Sequence, residues 1–306
     1  MAVGPAPLGG RLNVSVGMDR VLPAPPQHPI LLPARAMSMA VRTRLLSRYG
    51  PWAVVTGASD GIGREYAIRL AEAGFSLVLA ARRKDRLDGL ANLLAIGRGI
   101  QIRVIPADLT TQPGVDEIVD RTRDVDVGLL VAAAGYGRSG PFVDGSLAEE
   151  LEMIDLNCRT VATLTHAFGN RFIARGRGGI VLMSSLLAFQ GVPGAANYAA
   201  TKAYVQSFAE ALHIELKPLG VDVIASAPGP IHSGFAARAS MKMALAQTPR
   251  DVAGATLAAL GRRGTVRPGW LSKFLEGALK FLPRWGRVRV MRIVMAGMIA
   301  PRIARQ

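Results

Sequence analysis

Residues 56–63 read TGASDGIG, a glycine-rich turn that ends an apolar run and opens a helical pattern. Glycine allows a tight turn and lets the backbone come close to a pyrophosphate. The free amides and the dipole at a helix N-terminus favour the negative charge of such a group. The spacing is Gly-x-x-x-Gly-x-Gly rather than Gly-x-Gly-x-x-Gly. A glycine-rich turn alone is a weak signal, but a strand before it and a helix after it predict a dinucleotide site.

The pattern around this turn is repeated along the chain. Short, continuously apolar runs alternate with helix-length segments, as is typical of strands that are covered on both faces. Strands are predicted at 52–56, 76–81, 101–106, 127–132, 179–185 and 221–227. Helices are predicted near 63–73, 84–96, 115–123, 149–174 and 198–217. This alternation predicts an α/β protein with a doubly wound parallel sheet, a Rossmann fold of three α/β/α layers in a single domain.

Composition excludes several classes of protein. Half of the 306 residues are hydrophobic, so the chain can bury a large core. Its single cysteine, Cys158, rules out a disulfide framework, and four scattered histidines predict no metal site. Charged residues, Gly or Pro interrupt each apolar stretch before the roughly 20 residues that a membrane span needs. With no secretory signal at the start, we expect a cytoplasmic location.

The net charge of +15 lies at the two ends of the chain. Residues 49–261 hold 20 basic and 20 acidic residues, whereas residues 1–48 carry +5 and residues 262–306 carry +10. A nucleic-acid-binding domain usually carries its positive charge on the folded unit, together with a recognisable motif. Neither is present, so we expect no nucleic-acid partner.

Three regions follow from these patterns. Residues 1–48 are rich in Pro, Gly and Ala and predict a flexible tail. Met37 or Met39 is a candidate for the true start, which mass spectrometry of the native protein would decide. Residues 49–263 form the predicted Rossmann domain, and residues 264–306 form a basic amphipathic extension. That extension either lies peripherally on an anionic membrane surface or packs its apolar face on the sheet or on a second subunit.

Tyr198 and Lys202 are four residues apart in a predicted helix, so their side chains project from one face. An ammonium group near a phenol lowers the pKa of the phenol from its ordinary value near 10, which suits a general acid–base group. Ser185 ends a predicted strand and therefore points into the crevice where parallel sheets bind ligands. The alternative is a Tyr–Lys pair on a solvated helix and a serine that caps a turn.

Together, these features resemble the short-chain dehydrogenase/reductase family over about residues 50–250. The glycine turn and the Tyr-x-x-x-Lys pair are joined by Ser185, thirteen residues before Tyr198. Asn157 lies in the sequence DLNC, and residues 228–229 read Pro-Gly. The sequence DGIGREYA at residues 60–67 is most similar to the branch with hydroxysteroid dehydrogenases and long-chain ketoacyl reductases.

The resemblance implies a mechanism and a set of site residues. NADPH would deliver hydride to a carbonyl carbon, Ser185 would polarise the carbonyl oxygen, and Tyr198 would supply the proton. Lys202 would hold the nicotinamide ribose and tune Tyr198, and Asn157 would position a water that links Lys202 to solvent. The expected cofactor-binding residues are Gly57, Ser59, Asp60, Gly61, Ile62, Gly63, Arg82, Arg83, Asp108, Leu109, Gly135, Tyr198, Lys202, Pro228, Gly229 and Ser233.

The second predicted strand indicates which dinucleotide is bound. Ala81 takes the place of the acidic residue that holds the ribose of NAD, and Arg82 and Arg83 follow it. Arginine matches a phosphate as a planar fork, so the sequence predicts NADP(H). The alternative is a solvated start of a helix. Asp108 and Leu109 are similar to the family's adenine-contacting pair, although a helix cap explains their position equally well.

The chain departs from the family pattern at two places. Residues 132–135 read AAAG where the family usually shows Asn-Asn-Ala-Gly, and those asparagines tie neighbouring strands together. We therefore expect some loss of local stability or cofactor affinity. Ser233 stands at the family's threonine position, where it can still bond the nicotinamide carboxamide.

The expected substrate is a hydrophobic ketone or secondary alcohol, such as a steroid-, retinoid- or fatty-acyl-like compound. The apolar residues behind this expectation are Leu186, Leu187, Phe189, Phe235, Met241, Met243 and Leu245, the last four within 231–247. The alternative function is a non-catalytic NADP-binding redox sensor. The resemblance also implies a homo-oligomer, either a dimer or a tetramer.

Overall fold

Seven parallel strands form one sheet in the computed structural model, which describes residues 37–231, 247–269 and 281–298 with Met1, Gly4 and Gly277. The strands are β1 (Trp52–Thr56), β2 (Ser76–Ala81), β3 (Ile102–Pro106), β4 (Val127–Ala132), β5 (Gly178–Met183), β6 (Val221–Ser226) and β7 (Thr265–Val266). Their order is β3-β2-β1-β4-β5-β6-β7. The order reverses between β1 and β4, and such a reversal opens a crevice at the carboxyl ends of the strands.

Helices cover both faces of the sheet. They are α1 (Met39–Tyr49), α2 (Gly61–Glu72), α3 (Lys84–Ala95), α4 (Gln112–Asp120), α5 (Leu147–Ile154), α6 (Thr160–Ala174), α7 (Ala196–Glu215), α8 (Pro249–Ala259) and α9 (Arg284–Met298). Val55 packs with α1, α2, α3 and α8, whereas its neighbour Val54 packs with α4, α6 and α7. Successive residues of a strand point to opposite faces, so each strand contributes to two cores. The predicted three-layer Rossmann architecture is confirmed.

The predicted strands agree with the observed strands to within two residues at each end. The helix predicted at 149–174 is interrupted, however. A π-helical turn at Asp155–Arg159 separates α5 from α6, and Asn157 lies within it. Such bulges are rare in helices and frequent at functional sites.

The flexible tail predicted over residues 1–48 extends too far. Residues 39–49 form α1, whose Leu45 and Tyr49 are fully buried in the core. The Tyr49 hydroxyl donates to Asp222 Oδ2 at 2.7 Å, and Arg48 Nε lies 2.6 Å from the same oxygen. These contacts fasten α1 to β6, because Asp222 is a buried residue of that strand. The compact unit begins at Met37, and residues 5–36 lie outside the described part of the chain.

The boundary predicted between residues 263 and 264 also needs correction. Residues 265–266 form β7 and pair in parallel with β6, so the start of the predicted extension belongs to the sheet. Strand β7 has only two residues, which is too short for an apolar run to reveal it. Within the described residues, no helix combines the length and the apolar content required to traverse a bilayer.

Candidate active site

The glycine turn connects β1 to α2 at the crevice. Asp60 caps the helix, because its Oδ1 accepts from the Gly61 amide at 2.7 Å. Gly57 has a φ of +66°, and a Cβ built there would lie 2.9 Å from the Cα of Ala134. A Cβ at Gly63 would overlap the carbonyl oxygen of Gly57. Gly57 is therefore required for the turn to pack against the segment after β4, and Gly63 for the helix N-terminus to pack against the end of β1.

The structure separates the two arginines that follow β2. Arg83 reaches back to the glycine turn, where it donates to Ser59 Oγ at 3.3 Å and lies 3.6 Å from Asp60. Arg82 instead forms an ion pair with Glu152 at 3.8 Å. Both side chains are about half exposed and border the same cavity. Arg83 is the arginine that lies next to the glycine turn.

The ends of β3 and β4 complete this side of the cavity. Asp108 Oδ1 accepts from the amide and the hydroxyl of Thr110, at 3.1 and 2.9 Å, while Thr111 caps α4. Asp108 therefore holds a turn before the helix and is not its cap. At β4, the Ala134 amide donates to Thr56 Oγ1 at 3.1 Å. Thr56 thus provides a tie between β1 and the β4 end, where the chain lacks the two asparagines.

Ser185 and Tyr198 meet at the centre of the cavity. Ser185 follows β5 and caps a short 3₁₀ turn at Leu186–Phe189 by accepting from the Leu187 amide at 3.2 Å. Its side chain interacts with that of Tyr198, which lies in the first turn of α7 and is buried. The structure thus brings the serine and the tyrosine to the same cavity.

Burial controls the charges at this centre. It raises the pKa of Tyr198 to about 12, although the side chain of Ser185 acts in the opposite direction. Burial also lowers the pKa of Lys202 to about 8. The prediction that Lys202 lowers the pKa of Tyr198 is wrong for this structure. The reason is that Lys202 Nζ donates to the Met183 carbonyl at 2.9 Å and lies 5.8 Å from the tyrosine ring centroid.

Asn157 is fully buried behind the cavity. Its Nδ2 donates to the Tyr136 carbonyl at 2.9 Å and to Thr201 Oγ1 at 3.0 Å. Its Oδ1 accepts from the Tyr136 amide at 3.2 Å. A Cβ at Gly135 would lie 2.9 Å from this oxygen and 3.4 Å from Lys202 Nζ, so the amide and the ammonium flank one backbone position. Asn157 therefore fastens the segment after β4 to α7.

The opposite side of the cavity is apolar. We call it the methionine side and define it by Leu186, Leu187, Val290, Met291, Val294 and Met295. The last four belong to α9, and Met291 and Met295 pack on Val192, Ala195 and Ala199. The apolar face of the extension thus packs beside the start of α7 rather than on the sheet. Sequence reasoning missed these residues, although apolar residues at 290, 291, 294 and 295 show helical spacing.

The polar side, which we call the glycine side, gathers most of the predicted site residues in the same cavity of about 350 Å³. The predicted residues that border the cavity are Gly57, Ser59, Asp60, Gly61, Ile62, Gly63, Arg82, Arg83, Asp108, Leu109, Gly135, Ser185, Tyr198, Lys202, Pro228 and Gly229. Tyr136 and Gln190 border it as well and were not predicted. The Tyr136 ring packs beside Tyr198 and its hydroxyl donates to the Glu149 carbonyl at 2.7 Å.

Some expectations fall elsewhere. Phe189 does not border the cavity, because the Arg267 guanidinium lies 4.3 Å from its ring centroid on the other side of the 3₁₀ turn. Ser233, Phe235, Met241, Met243 and Leu245 lie outside the described residues. The described ends of that segment, Ile231 and Gln247, form an isolated parallel bridge. Over the described ranges, no cluster of three His, Cys, Asp or Glu side chains is arranged to hold a metal ion.

The chain is similar in sequence to known proteins. A family model described as short chain dehydrogenase matches residues 51–244. A 7beta-hydroxysteroid dehydrogenase of Clostridium sardiniense is 31% identical over 230 residues, which are 74% of this chain and 88% of that protein. A very-long-chain 3-oxoacyl-CoA reductase of Podospora anserina is 35% identical over 185 residues, 59% of this chain and 54% of the reductase. The chain thus spans about half the length of that reductase.

A solved structure agrees with these relatives. The short-chain dehydrogenase from Sphingobium yanoikuyae in complex with NADPH has a TM-score of 0.68 and 30% identity, and the match covers 84% of this chain and 99% of that one. Hydroxysteroid dehydrogenases and long-chain ketoacyl reductases are the two kinds of enzyme that the sequence was expected to resemble. That expectation is confirmed.

Proposed function

The chain belongs to the short-chain dehydrogenase family, and from that premise we propose that it transfers hydride between NADP(H) and a ketone or secondary alcohol on a large hydrophobic substrate. Oxidoreduction of hydroxyl and keto groups with a nicotinamide cofactor follows from family membership. The choice of NADP(H), the substrate class and the roles of individual residues are the parts we propose.

One observation carries the proposal. Ser185 and Tyr198, with Lys202 one turn along α7, border the same cavity as the glycine turn. A solvated Tyr–Lys pair would be exposed on the helix surface, whereas Tyr198 and Lys202 are 8% and 6% exposed. Burying an ammonium group and a phenol lowers the stability of the fold, so a purely structural role does not explain their burial. This cost favours a catalytic role.

The backbone on the glycine side suits a dinucleotide. Gly57, Gly63 and Gly135 border the cavity and carry no side chain, so a ligand can lie directly against the main chain. The N-terminus of α2 would hold the pyrophosphate, and Arg83 with Ser59 would hold a ribose 2′-phosphate. Lys202 would hold the nicotinamide ribose. The nicotinamide supplies the hydride when bound.

The titrating groups of this chain suit reduction at neutral pH. Because its pKa lies at about 12, Tyr198 is protonated and can donate to the oxygen of a carbonyl that accepts hydride. Lys202, with its pKa at about 8, carries its charge at neutral pH. Ser185 would donate to the same substrate oxygen and orient it.

The methionine side supports an apolar substrate. Its six side chains are Leu, Val and Met, and they form a wall beside the Ser185–Tyr198 pair, because Leu187 packs against Tyr198. The relatives named above act on a hydroxysteroid and on a very-long-chain 3-oxoacyl-CoA, two compounds with large apolar bodies. We therefore propose a steroid-, retinoid- or fatty-acyl-like ketone. Hydrophobic contact binds such a body, while the polar pair orients its carbonyl group.

The experiment that tests the proposal combines binding and turnover. Fluorescence titrations with NADPH and NADH measure the cofactor preference, and NADPH oxidation is then followed with a panel of steroid, retinal and 3-oxoacyl ketones. We expect selective NADPH binding, and turnover that falls by about 10²–10⁴-fold in Tyr198→Phe. Full turnover in Tyr198→Phe would refute the role of the tyrosine. Tight NADPH binding without turnover on any ketone would favour the redox-sensor alternative.

A further inference from the structure

Helix α9 has a second face, which points away from the cavity. Trp285 and Ile293 are 64% and 72% exposed on that side, and Arg289 and Arg292 are exposed between them. Large apolar side chains are unusual at such exposure in water, and Phe281 before the helix is 88% exposed. We call this surface the outer face of α9 and define it by Trp285, Arg289, Arg292 and Ile293.

The charge of this helix has one sign. Residues 284–298 contain four arginines and no acidic residue, and residues 262–306 carry +10. The Arg289 guanidinium lies 5.0 Å from the centroid of the Trp285 ring, so cation and indole form one amphipathic unit. From this combination we propose that the outer face of α9 binds the surface of an anionic lipid bilayer, with the helix parallel to the membrane plane.

The physical fit is specific to such a surface. Tryptophan and arginine both place an apolar body at the headgroup level and a polar end in water. Anionic headgroups compensate the positive charge of the arginines, and each arginine near such a surface raises the partition coefficient about fivefold. The described helices do not span a bilayer, and α9 is already anchored through Met291 and Met295, so it lies on the membrane rather than across it.

Other occupants fit less well. A symmetric contact between two copies would place this face against itself and bring arginines together without an acidic partner. A nucleic acid would neutralise the arginines but offers no apolar environment for Ile293 and Phe281. The membrane satisfies both the charge and the apolar side chains.

Vesicle co-sedimentation of the full chain tests the proposal. The vesicles contain equal parts of phosphatidylcholine and phosphatidylserine, or phosphatidylcholine alone, in buffer of low ionic strength. We expect binding to the anionic vesicles, little binding to the neutral ones, and weakening by added salt. The double variant Arg289→Gln/Arg292→Gln should partition about 25-fold less.

The matched control is Arg121→Gln/Arg123→Gln, which removes the same charge from exposed residues after α4. These residues precede β4 and therefore lie at the amino-terminal edge of the sheet, away from the cavity. The control should sediment like the wild type. Both double variants should keep their circular dichroism spectrum and NADPH binding, because none of the four arginines touches the cavity.

Three outcomes of the sedimentation experiments overturn the proposal. Equal binding to neutral and anionic vesicles would remove the charge argument, and equal loss in the two double variants would show that only net charge matters. If analytical ultracentrifugation gave a different mass for the lipid-free Arg289→Gln/Arg292→Gln protein than for the wild type, another copy of the chain would cover this face.

As a second measurement, brominated phosphatidylcholine mixed with phosphatidylserine should quench tryptophan fluorescence less in Trp285→Phe than in the wild type. Unchanged quenching would place the tryptophan away from lipid.

Discussion

The glycine side of the cavity is held by the backbone and by polar contacts, whereas the methionine side is held by the packing of apolar side chains. Gly57, Asp60 and Ser185 lie at strand or helix ends, and each is fixed by a steric limit or a hydrogen bond. Met291 and Met295 come from α9, which begins 69 residues after the end of α7, and they contribute apolar contacts that have no preferred direction. The difference follows from their tasks, because a phosphate or hydride site needs defined geometry and an apolar body needs shape.

Two consequences follow for substitutions. Changes on the glycine side should affect cofactor binding and chemistry sharply, since few alternative arrangements satisfy the same hydrogen bonds. Changes on the methionine side should be graded and should alter which substrates are accepted, since apolar packing tolerates substitution at modest cost. Four substitutions test this comparison, from the largest expected effect to the smallest.

Gly63→Ala should be the most damaging. The new Cβ would overlap the Gly57 carbonyl oxygen, so α2 must move away from β1. We expect NADPH affinity to fall by more than a hundredfold and the free energy of unfolding to fall by about 1–3 kcal/mol. The control is Gly89→Ala in α3, where no neighbouring atom lies within 4 Å of the new Cβ and helix propensity adds about 0.5–1 kcal/mol. Unchanged NADPH affinity in Gly63→Ala would contradict the close packing.

Lys202→Met should stabilise the fold while it removes activity. Burial lowers the pKa of Lys202 from its ordinary 10.5 to about 8, so below pH 8 the fold must bury a charge that the unfolded chain keeps in water. Loss of this cost outweighs the lost hydrogen bond to Met183, and we expect the free energy of unfolding at pH 7 to rise by about 1–3 kcal/mol.

The pH dependence checks the cause. Between pH 8 and 10 the folded wild type loses the Lys202 proton before the unfolded chain does, so its free energy of unfolding rises relative to Lys202→Met. Chemical denaturation of both proteins across this range should show the gap closing as pH rises. A gap that stays constant with pH would mean that packing, rather than charge, explains the difference.

Met295→Ala should alter substrate binding but not cofactor binding. The side chain is 1% exposed and borders the cavity, so its loss leaves a hole of about two to three methylene groups. We expect about 2 kcal/mol less stability for α9 and a roughly tenfold higher KM for a bulky apolar ketone, with NADPH affinity unchanged. Ile293→Ala on the outer face of the same helix is the control and should leave KM unchanged. A parallel loss of NADPH affinity would contradict the separation of the two sides.

Arg83→Ala should have the smallest effect of the four. Arg83 is about half exposed, so water and salt weaken its interaction with a phosphate. We expect NADPH affinity to fall about tenfold, with NADH affinity unchanged. Arg82→Ala is the matched control, because its guanidinium pairs with Glu152 away from the glycine turn. If Arg82→Ala has the larger effect, the assignment of the two arginines is reversed.

The amount that could be read from the sequence differs between the two sides. The glycine turn, Ser185, Tyr198 and Lys202 were found because strand ends and a helical spacing of four fix their positions locally. Thr56 as a tie to Ala134 was missed, since a threonine inside an apolar run gives no separate signal. Helix α8 was missed too, although Thr248 followed by a proline and Asp251 is a typical helix start.

The sequence by itself determined the parallel sheet, the crevice at its carboxyl edge and the residues of the glycine side. Those features depend on periodicity and on contacts between neighbouring segments, which local residues specify. Only the tertiary structure decided that α1 belongs to the core, that Arg83 rather than Arg82 meets the glycine turn, and that α9 forms the wall of the cavity. It also decided the pKa of Tyr198, because burial of the phenol outweighs the effect of Ser185. Hydrophobic contact and desolvation depend on which distant segments meet, and no local pattern records that.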